Sequence, residues 1–235
     1  MKKIFAFVGS QAGENSKTFC LIKRIINKVN ENVNGELKYD IITPDNMKIN
    51  KCKSCNNCFN TGICNLDEKD DMKIIKKKMI EADLIIFASP VYAHNVSGDM
   101  KIFIDRISYW MHIMKLAGKA GVILSSSASN GNKLVNDYLY KIMSILGIKV
   151  IGNFSATSIC VDNDLEDELD KFSKVILQYI NSKMEIISDK FLDSIFITQR
   201  EIMKLQKNVN ANEYLYWLEN GYFECENFNE LLNRL

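Results

Sequence analysis

Residues 83–89, Asp-Leu-Ile-Ile-Phe-Ala-Ser, carry an unbroken apolar stretch from Leu84 to Ala88 with no alternation of apolar and polar positions. A strand wet on one face alternates with period two. One that does not must be covered on both faces, as a central strand of a parallel sheet sandwiched between helices is. The flanking segments fit that layout. Lys2 to Val8, Leu37 to Thr43 (stopped by Pro44), Ala120 to Ser125 and Lys149 to Ser155 read as further strands. Thr18, Leu21, Ile22, Ile25, Ile26 and Val29 share one helical face, and helical patterns also cover 68–81, 97–114, 133–146 (closed by Gly147) and about 165–188. Strict strand-helix alternation implies right-handed crossovers and predicts an α/β, doubly wound five-stranded parallel sheet of order 2-1-3-4-5. Its ligand crevice would lie at the carboxyl ends of strands 1 and 3.

No linker rich in Gly, Pro or Ser interrupts residues 1–190, which read as one domain with a cysteine-rich loop at 50–66. Residues 191–235 are a helical, aromatic-rich C-terminal extension. Ile195, Phe196, Gln199, Ile202, Met203 and Gln206 trace a stripe, and Tyr214, Tyr216, Trp217, Tyr222, Phe223 and Phe228 follow. Such aromatics need burial, on the parent domain or on a second subunit, and a homo-oligomer is expected. Thirty basic against 29 acidic residues leave a net charge of +1, so no one-signed field draws the chain to nucleic acid or an anionic membrane. Apolar runs such as Leu84–Ala88 fall far short of the ~18 residues that a bilayer requires. Met1-Lys2-Lys3 with Ile4 to Val8 imitates a short signal peptide, but Gly9, Ser10 and polar Gln11 to Lys17 interrupt it. A cytoplasmic location is expected.

Gly9 to Thr18 joins the first strand to the first helix, so backbone N–H groups and hydroxyls gather at a helix N-terminus, an anion site. Ser16 precedes Lys17 with no adjoining Gly, which excludes the Walker A pattern, and Gly9 and Gly13 do not form G-x-G-x-x-G. Neutral donors with little fixed charge suit a monophosphate; a plain capping loop with Asn15 or Ser16 as N-cap fits equally. The loop Ser89 to Gly98 leaves the central strand where the crevice should open. Pro90 stiffens it, Tyr92 offers a flat face, Ser97 can cap the next helix, and the whole suits a planar heteroaromatic ring such as a flavin. Asp105 and Arg106 read as helix-surface charges, Phe103 as core, and His94 as an ordinary loop histidine.

Seven cysteines are present, and Cys52, Cys55, Cys58 and Cys64 spell Cys-x2-Cys-x2-Cys-x5-Cys. Three thiols at that spacing can wrap a compact iron-sulfur cluster. Zinc more often takes two pairs separated by a longer loop, and free thiols or an opportunistic disulfide remain open. Cys20, Cys160 and Cys225 lack partners by spacing, and Cys20 reads as helix packing.

Gly9-Ser10 with Ser16-Lys17-Thr18, Ser89-Pro90-Val91-Tyr92, and Ser97-Gly98-x-x-Lys101-x-Phe103-x-Asp105-Arg106 resemble the NADPH-dependent FMN reductase and iron-sulfur flavoprotein branch of the flavodoxin-like superfamily over residues 1 to about 185. The resemblance implies FMN, with its phosphate on Ser10, Gln11, Ser16, Lys17 and Thr18 and its isoalloxazine beside Pro90, Val91, Tyr92, Ala93, His94 and Asn95. It implies a third contact loop at Ser125, Ser126, Ser127 and Gly131. Ala12 to Glu14 stand where relatives often carry Arg. The cysteine spacing resembles the compact motif of iron-sulfur flavoproteins, which implies a 4Fe-4S cluster on Cys52, Cys55, Cys58 and Cys64; similar loops also occur in FMN reductases of the branch without an assured cluster. The expected function is an FMN-dependent oxidoreductase that accepts hydride from NAD(P)H and passes electrons to an unidentified acceptor. The alternative is an iron-sulfur flavoprotein electron carrier, fed by a ferredoxin-like donor without nicotinamide turnover; a third is a non-catalytic FMN- or metal-binding module. No catalytic side chain is expected, because the cofactor supplies the chemistry.

Overall fold

The structure is a computed structural model and describes residues 2–158 and 162–235. Alternate residues of its inner strands enter two different apolar layers. In β1 (Lys3–Val8), Phe5 and Phe7 face one layer and Ile4, Ala6 and Val8 the other; in β3 (Leu84–Tyr92), Ile85 and Phe87 oppose Leu84, Ile86 and Ala88 in the same way. Both faces being covered, the strands need no polar side, and this is why Leu84–Ala88 shows no alternation.

β1 pairs in parallel with β2 (Lys38–Ile42) on one side and β3 on the other; β3 then pairs with β5 (Ala120–Ser127), and β5 with β6 (Lys149–Thr157). The order β2-β1-β3-β5-β6 is the expected 2-1-3-4-5 of a flavodoxin-like sheet. β4 (Asn95–Val96) is a short antiparallel addition to the end of β3 that periodicity did not announce. Helices α1 (Lys17–Asn32) and α7 (Asp162–Ile180) cover one face. Helices α3 (Met72–Glu81), α4 (Gly98–Arg106), α5 (Ser108–His112) and α6 (Asn132–Ile145) cover the other. Among the described residues no helix is long and apolar enough to cross a membrane.

Three helix boundaries differ from the periodicity reading, each for a local reason. The pattern over 97–114 is two helices, because Ile107 leaves helical backbone (φ −114°, ψ 11°) and the bend sends Tyr109 and Trp110 into the core. The helix expected from Glu68 starts only at Met72, because Asp70 and Asp71 turn their carboxylates back to the Asn50, Met72 and Lys48 amides. The helix expected to reach 188 stops at Ile180, where Ser182 adopts a left-handed φ of 56° and donates to the Tyr179 carbonyl.

The C-terminal residues form α8 (Lys190–Leu205), α9 (Ala211–Glu219) and α10 (Phe228–Leu232). Phe196, Trp217, Tyr222 and Phe228 are buried within the chain: Phe196 stacks on Trp217 at 5.6 Å and meets Phe228 edge-on at 5.8 Å. All four share the apolar layer that holds Phe87 and Phe103. Trp217 also donates its indole N–H to the His112 carbonyl at 3.0 Å. The parent domain thus covers Phe196, Trp217, Tyr222 and Phe228, while Phe191, Ile202 and Leu205 stay exposed on the same extension.

Candidate functional site

The loop after β1 is pressed against the start of α4. A Cβ on Gly9 would lie 2.6 Å from Met100 Cβ and 2.8 Å from Ser97 Oγ, so only glycine fits. Ser97 caps α4 as expected, accepting from the Met100 amide, and its hydroxyl donates to the Gly9 carbonyl. Ser10, Ser16 and Thr18 are buried. Ser16 holds the N-cap position of α1 in extended backbone (φ −73°, ψ 132°), yet its hydroxyl makes no capping bond, while Asn15 belongs to a preceding 3-10 turn. The first amides of α1 therefore lack a side-chain cap and, with the Ser16 hydroxyl, form a neutral anion cradle. Lys17 reaches across to Ser158 Oγ at 3.1 Å, and Gln11 lines an adjoining cleft of about 460 Å³ with Asp45, Met47 and Asp99. Buried hydroxyls, open helix amides and a single lysine fit a phosphate monoester.

Beyond Pro90, β3 folds back through a two-residue turn into β4, with Val91 opposite Val96 and Tyr92 opposite Asn95. The turn residues Ala93 (φ 49°) and His94 (φ 60°) are both left-handed, the geometry of a type I′ hairpin that normally takes Asn-Gly. Non-glycine residues there cost on the order of 1–2 kcal/mol each, so surrounding structure must hold them. The Ser89 hydroxyl does part of this, accepting from the Ser97 amide at 3.0 Å and donating to the Pro90 carbonyl at 2.8 Å. Gly131 (φ 88°) does more: a Cβ there would lie 2.7 Å from Val91 Cγ1 and 3.2 Å from His94 Nδ1, so the third loop closes directly on the hairpin. Tyr92 is 59% exposed and Ala93, His94 and Asn95 are exposed beside it, an open face past the carboxyl end of β3.

The third loop uses its hydroxyls on the protein itself. Ser126 pairs with Thr18 at 2.6 Å, Ser125 accepts from Asn132 Nδ2 at 2.9 Å, and Ser127 donates to Asn132 Oδ1. Ser126 thereby ties β5 to α1, while Ser125 and Ser127 tie β5 to the start of α6. Asn132, which the sequence reading missed, is the hub of that bracing and also donates to the Ala156 carbonyl at 3.3 Å. Its only signal was a polar residue directly after Gly131, at the start of a helical pattern.

The cysteine loop contains a short helix, α2 (Asn57–Thr61), between left-handed Asn56 (φ 55°) and Gly62 (φ 76°). Cys52 and Cys55 are exposed, Cys58 and Cys64 half-buried, and the six described cysteines are free; Cys160 lies outside the described residues. Among the described residues no group of three or more His, Cys, Asp or Glu stands close enough to hold a metal ion, so holding a cluster requires the four thiols to draw closer. The loop is nonetheless shaped around sulfur. The Ser54 amide donates to Cys52 Sγ at 3.4 Å. The Cys58 thiol is pushed up by burial and by neighbouring Cys64 and Cys52, against Lys76. An all-thiol donor set of four cysteines on one loop, with an amide aimed at one sulfur, is the chemistry that an iron-sulfur cluster takes.

Arg106 corrects the surface reading made from sequence. Its side chain is fully buried, donating to Asp67 Oδ1 at 2.8 Å and the Asn50 carbonyl at 2.9 Å and pairing with Asp70. Burial alone would raise the Asp70 pKa, but the Arg106 fork and the Asn50 and Met72 amides outweigh it and hold the carboxyl below its ordinary value. Asp105 does lie at the surface, paired with Lys101, and Phe103 is core, stacked on Phe7 at 3.9 Å.

Residues 2–160 match the family described as NADPH-dependent FMN reductase. An iron-sulfur flavoprotein of Archaeoglobus fulgidus is 31% identical over 183 residues, 74% of this chain and 80% of that protein. One from Methanocaldococcus jannaschii is 29% identical over 158 residues, 66% of this chain and 79% of its counterpart. The solved structure of an NADH:FMN oxidoreductase in its apo form superposes with a TM-score of 0.57 at 21% identity, covering 82% of this chain and 94% of that one. At such identity the last likeness speaks for the fold alone.

Proposed function

This chain belongs to the NADPH-dependent FMN reductase family and is an FMN flavoprotein oxidoreductase; we propose that it exchanges electrons between FMN in the crevice and a 4Fe-4S cluster held by Cys52, Cys55, Cys58 and Cys64, delivering them to an acceptor that approaches the exposed side of the cysteine loop. The observation that carries this reading is a shared anchorage: α4 bonds the crevice loop at Gly9 through Ser97 and the cysteine loop at Asn50 and Asp67 through Arg106. The relatives' description as iron-sulfur flavoproteins supports the cluster. Bound FMN supplies one- and two-electron chemistry at its ring. The protein's part is to bind and orient. The start of α1 with Ser10, Ser16 and Thr18 receives the phosphate, and the strained Ala93–His94 turn offers backbone groups to the ring edge. The Thr18–Ser126 pair keeps α1 and β5 at fixed separation, and Asn132 fixes the third loop on β5 and β6.

A second reading keeps FMN but dispenses with the cluster: NAD(P)H delivers hydride directly, and the electrons leave to the acceptor from the same crevice. The open face at Tyr92, which leaves room for a nicotinamide against the flavin, favours it. Anaerobic isolation separates the two. A cluster gives about four irons and four sulfides per chain, lost in Cys55→Ser. Iron-free protein whose flavin is bleached by NAD(P)H would leave only the second reading standing.

A further inference from the structure

Both ends of the cysteine loop converge on one side chain. Asn50 lies just before Cys52, and Asp67 and Asp70 lie just after Cys64; Arg106 bonds the carbonyl of the first and the carboxylates of the other two. Asp70 returns a bond to the Asn50 amide at 2.9 Å, and Lys76 holds the second oxygen of Asp67 at 2.6 Å. We propose that Arg106 is the positioning residue of the cysteine loop, clamping its neck shut and setting its distance from the flavin crevice; the second half of this rests on the reading above.

Stability alone does not account for the arrangement. A guanidinium and a carboxylate that are both fully buried give up their hydration, and such pairs are often no more stable than apolar side chains of like volume. Here the arginine Nε is also buried without a partner. What the pair contributes is geometry: the planar fork accepts only one arrangement of the three groups it bonds. That arrangement is transmitted rigidly, because Arg106 is the last residue of α4 and Ser97, its cap, bonds the Gly9 carbonyl. The nine residues of α4 span about 13 Å between these anchor points. One helix therefore gauges the gap between crevice and cysteines, and the only fully buried arginine-carboxylate pair among the described residues sits at its far end.

The test uses full-length, anaerobically isolated, FMN-loaded protein and the variant Arg106→Met. It should retain FMN, while its loop thiols react with a disulfide reagent about tenfold faster and amides 51–66 exchange faster, because the neck opens locally. Iron and sulfide should fall, and ethylguanidinium added to the variant should restore slow thiol reaction, which a general packing defect would not allow. Parental thiol rates, exchange and iron content in Arg106→Met would overturn the proposal. If that variant does not fold, Asp67→Asn, which removes one arm of the clamp, should shift the same readouts in the same direction, and unchanged readouts there would overturn it equally. If the parent takes up no iron, the cluster reading fails, while thiol and exchange rates still decide the clamp.

Discussion

The Ser97 hydroxyl donates to the Gly9 carbonyl while accepting from the Met100 amide at 3.1 Å, so a single oxygen closes the crevice loop onto the first turn of α4. Replacing it by alanine removes a helix cap and orphans a buried carbonyl. Ser97→Ala should cost about 2 kcal/mol and lower Tm by roughly 4–8 °C, and FMN affinity should fall with it. Thermal unfolding with and without FMN measures both; an unchanged Tm would show that the carbonyl finds another donor.

The phosphate assignment stands on Ser16, buried at the N-cap position of α1 with its hydroxyl unused for capping. Ser16→Glu puts a carboxylate against the phosphate and should weaken FMN binding at least about tenfold at a similar Tm, since like charges at contact repel by ~1 kcal/mol or more even at high dielectric. Flavin fluorescence titration reads the affinity. Parental affinity in the variant would move the phosphate elsewhere.

The buried Asp70 carboxyl has its folded pKa below the ordinary value near 3.9. A depressed carboxylate contributes stability that is complete above the unfolded pKa and drains away as pH falls through the folded one. The parent should therefore lose Tm steeply below about pH 4. Asp70→Asn, which breaks the buried pair at a cost of roughly 3–5 kcal/mol near neutrality, should show a shallower acid limb. Parallel acid limbs would mean that other carboxylates control acid unfolding.

Trp217 fills the seam between the C-terminal helices and the parent domain and donates to the His112 carbonyl. Trp217→Ala should cost about 3–5 kcal/mol, seen as a Tm drop of about 10 °C. The oligomeric mass should not change, because Trp217 itself is fully covered within the chain. A change of mass by light scattering would return the tail to an interface role.

The sheet order and its two covered faces were legible in the sequence, because hydrophobic period and strand-helix alternation act locally. The same holds for the Ser97 cap and the cysteine spacing. What only the tertiary structure decided are relations between distant positions. The turn at Ala93–His94 has no Asn-Gly signature; it is held in the left-handed region by Gly131, far along the chain. That Ser125 and Ser127 bond Asn132, and Ser126 bonds Thr18, could not be read from spacing either. Arg106 follows a surface pattern on its own helix, and its burial depends on Asp67 and Asp70 arriving from the far end of the cysteine loop. A charge is buried only where its partners meet it, and that meeting is set by the folding of the whole chain rather than by neighbours in sequence.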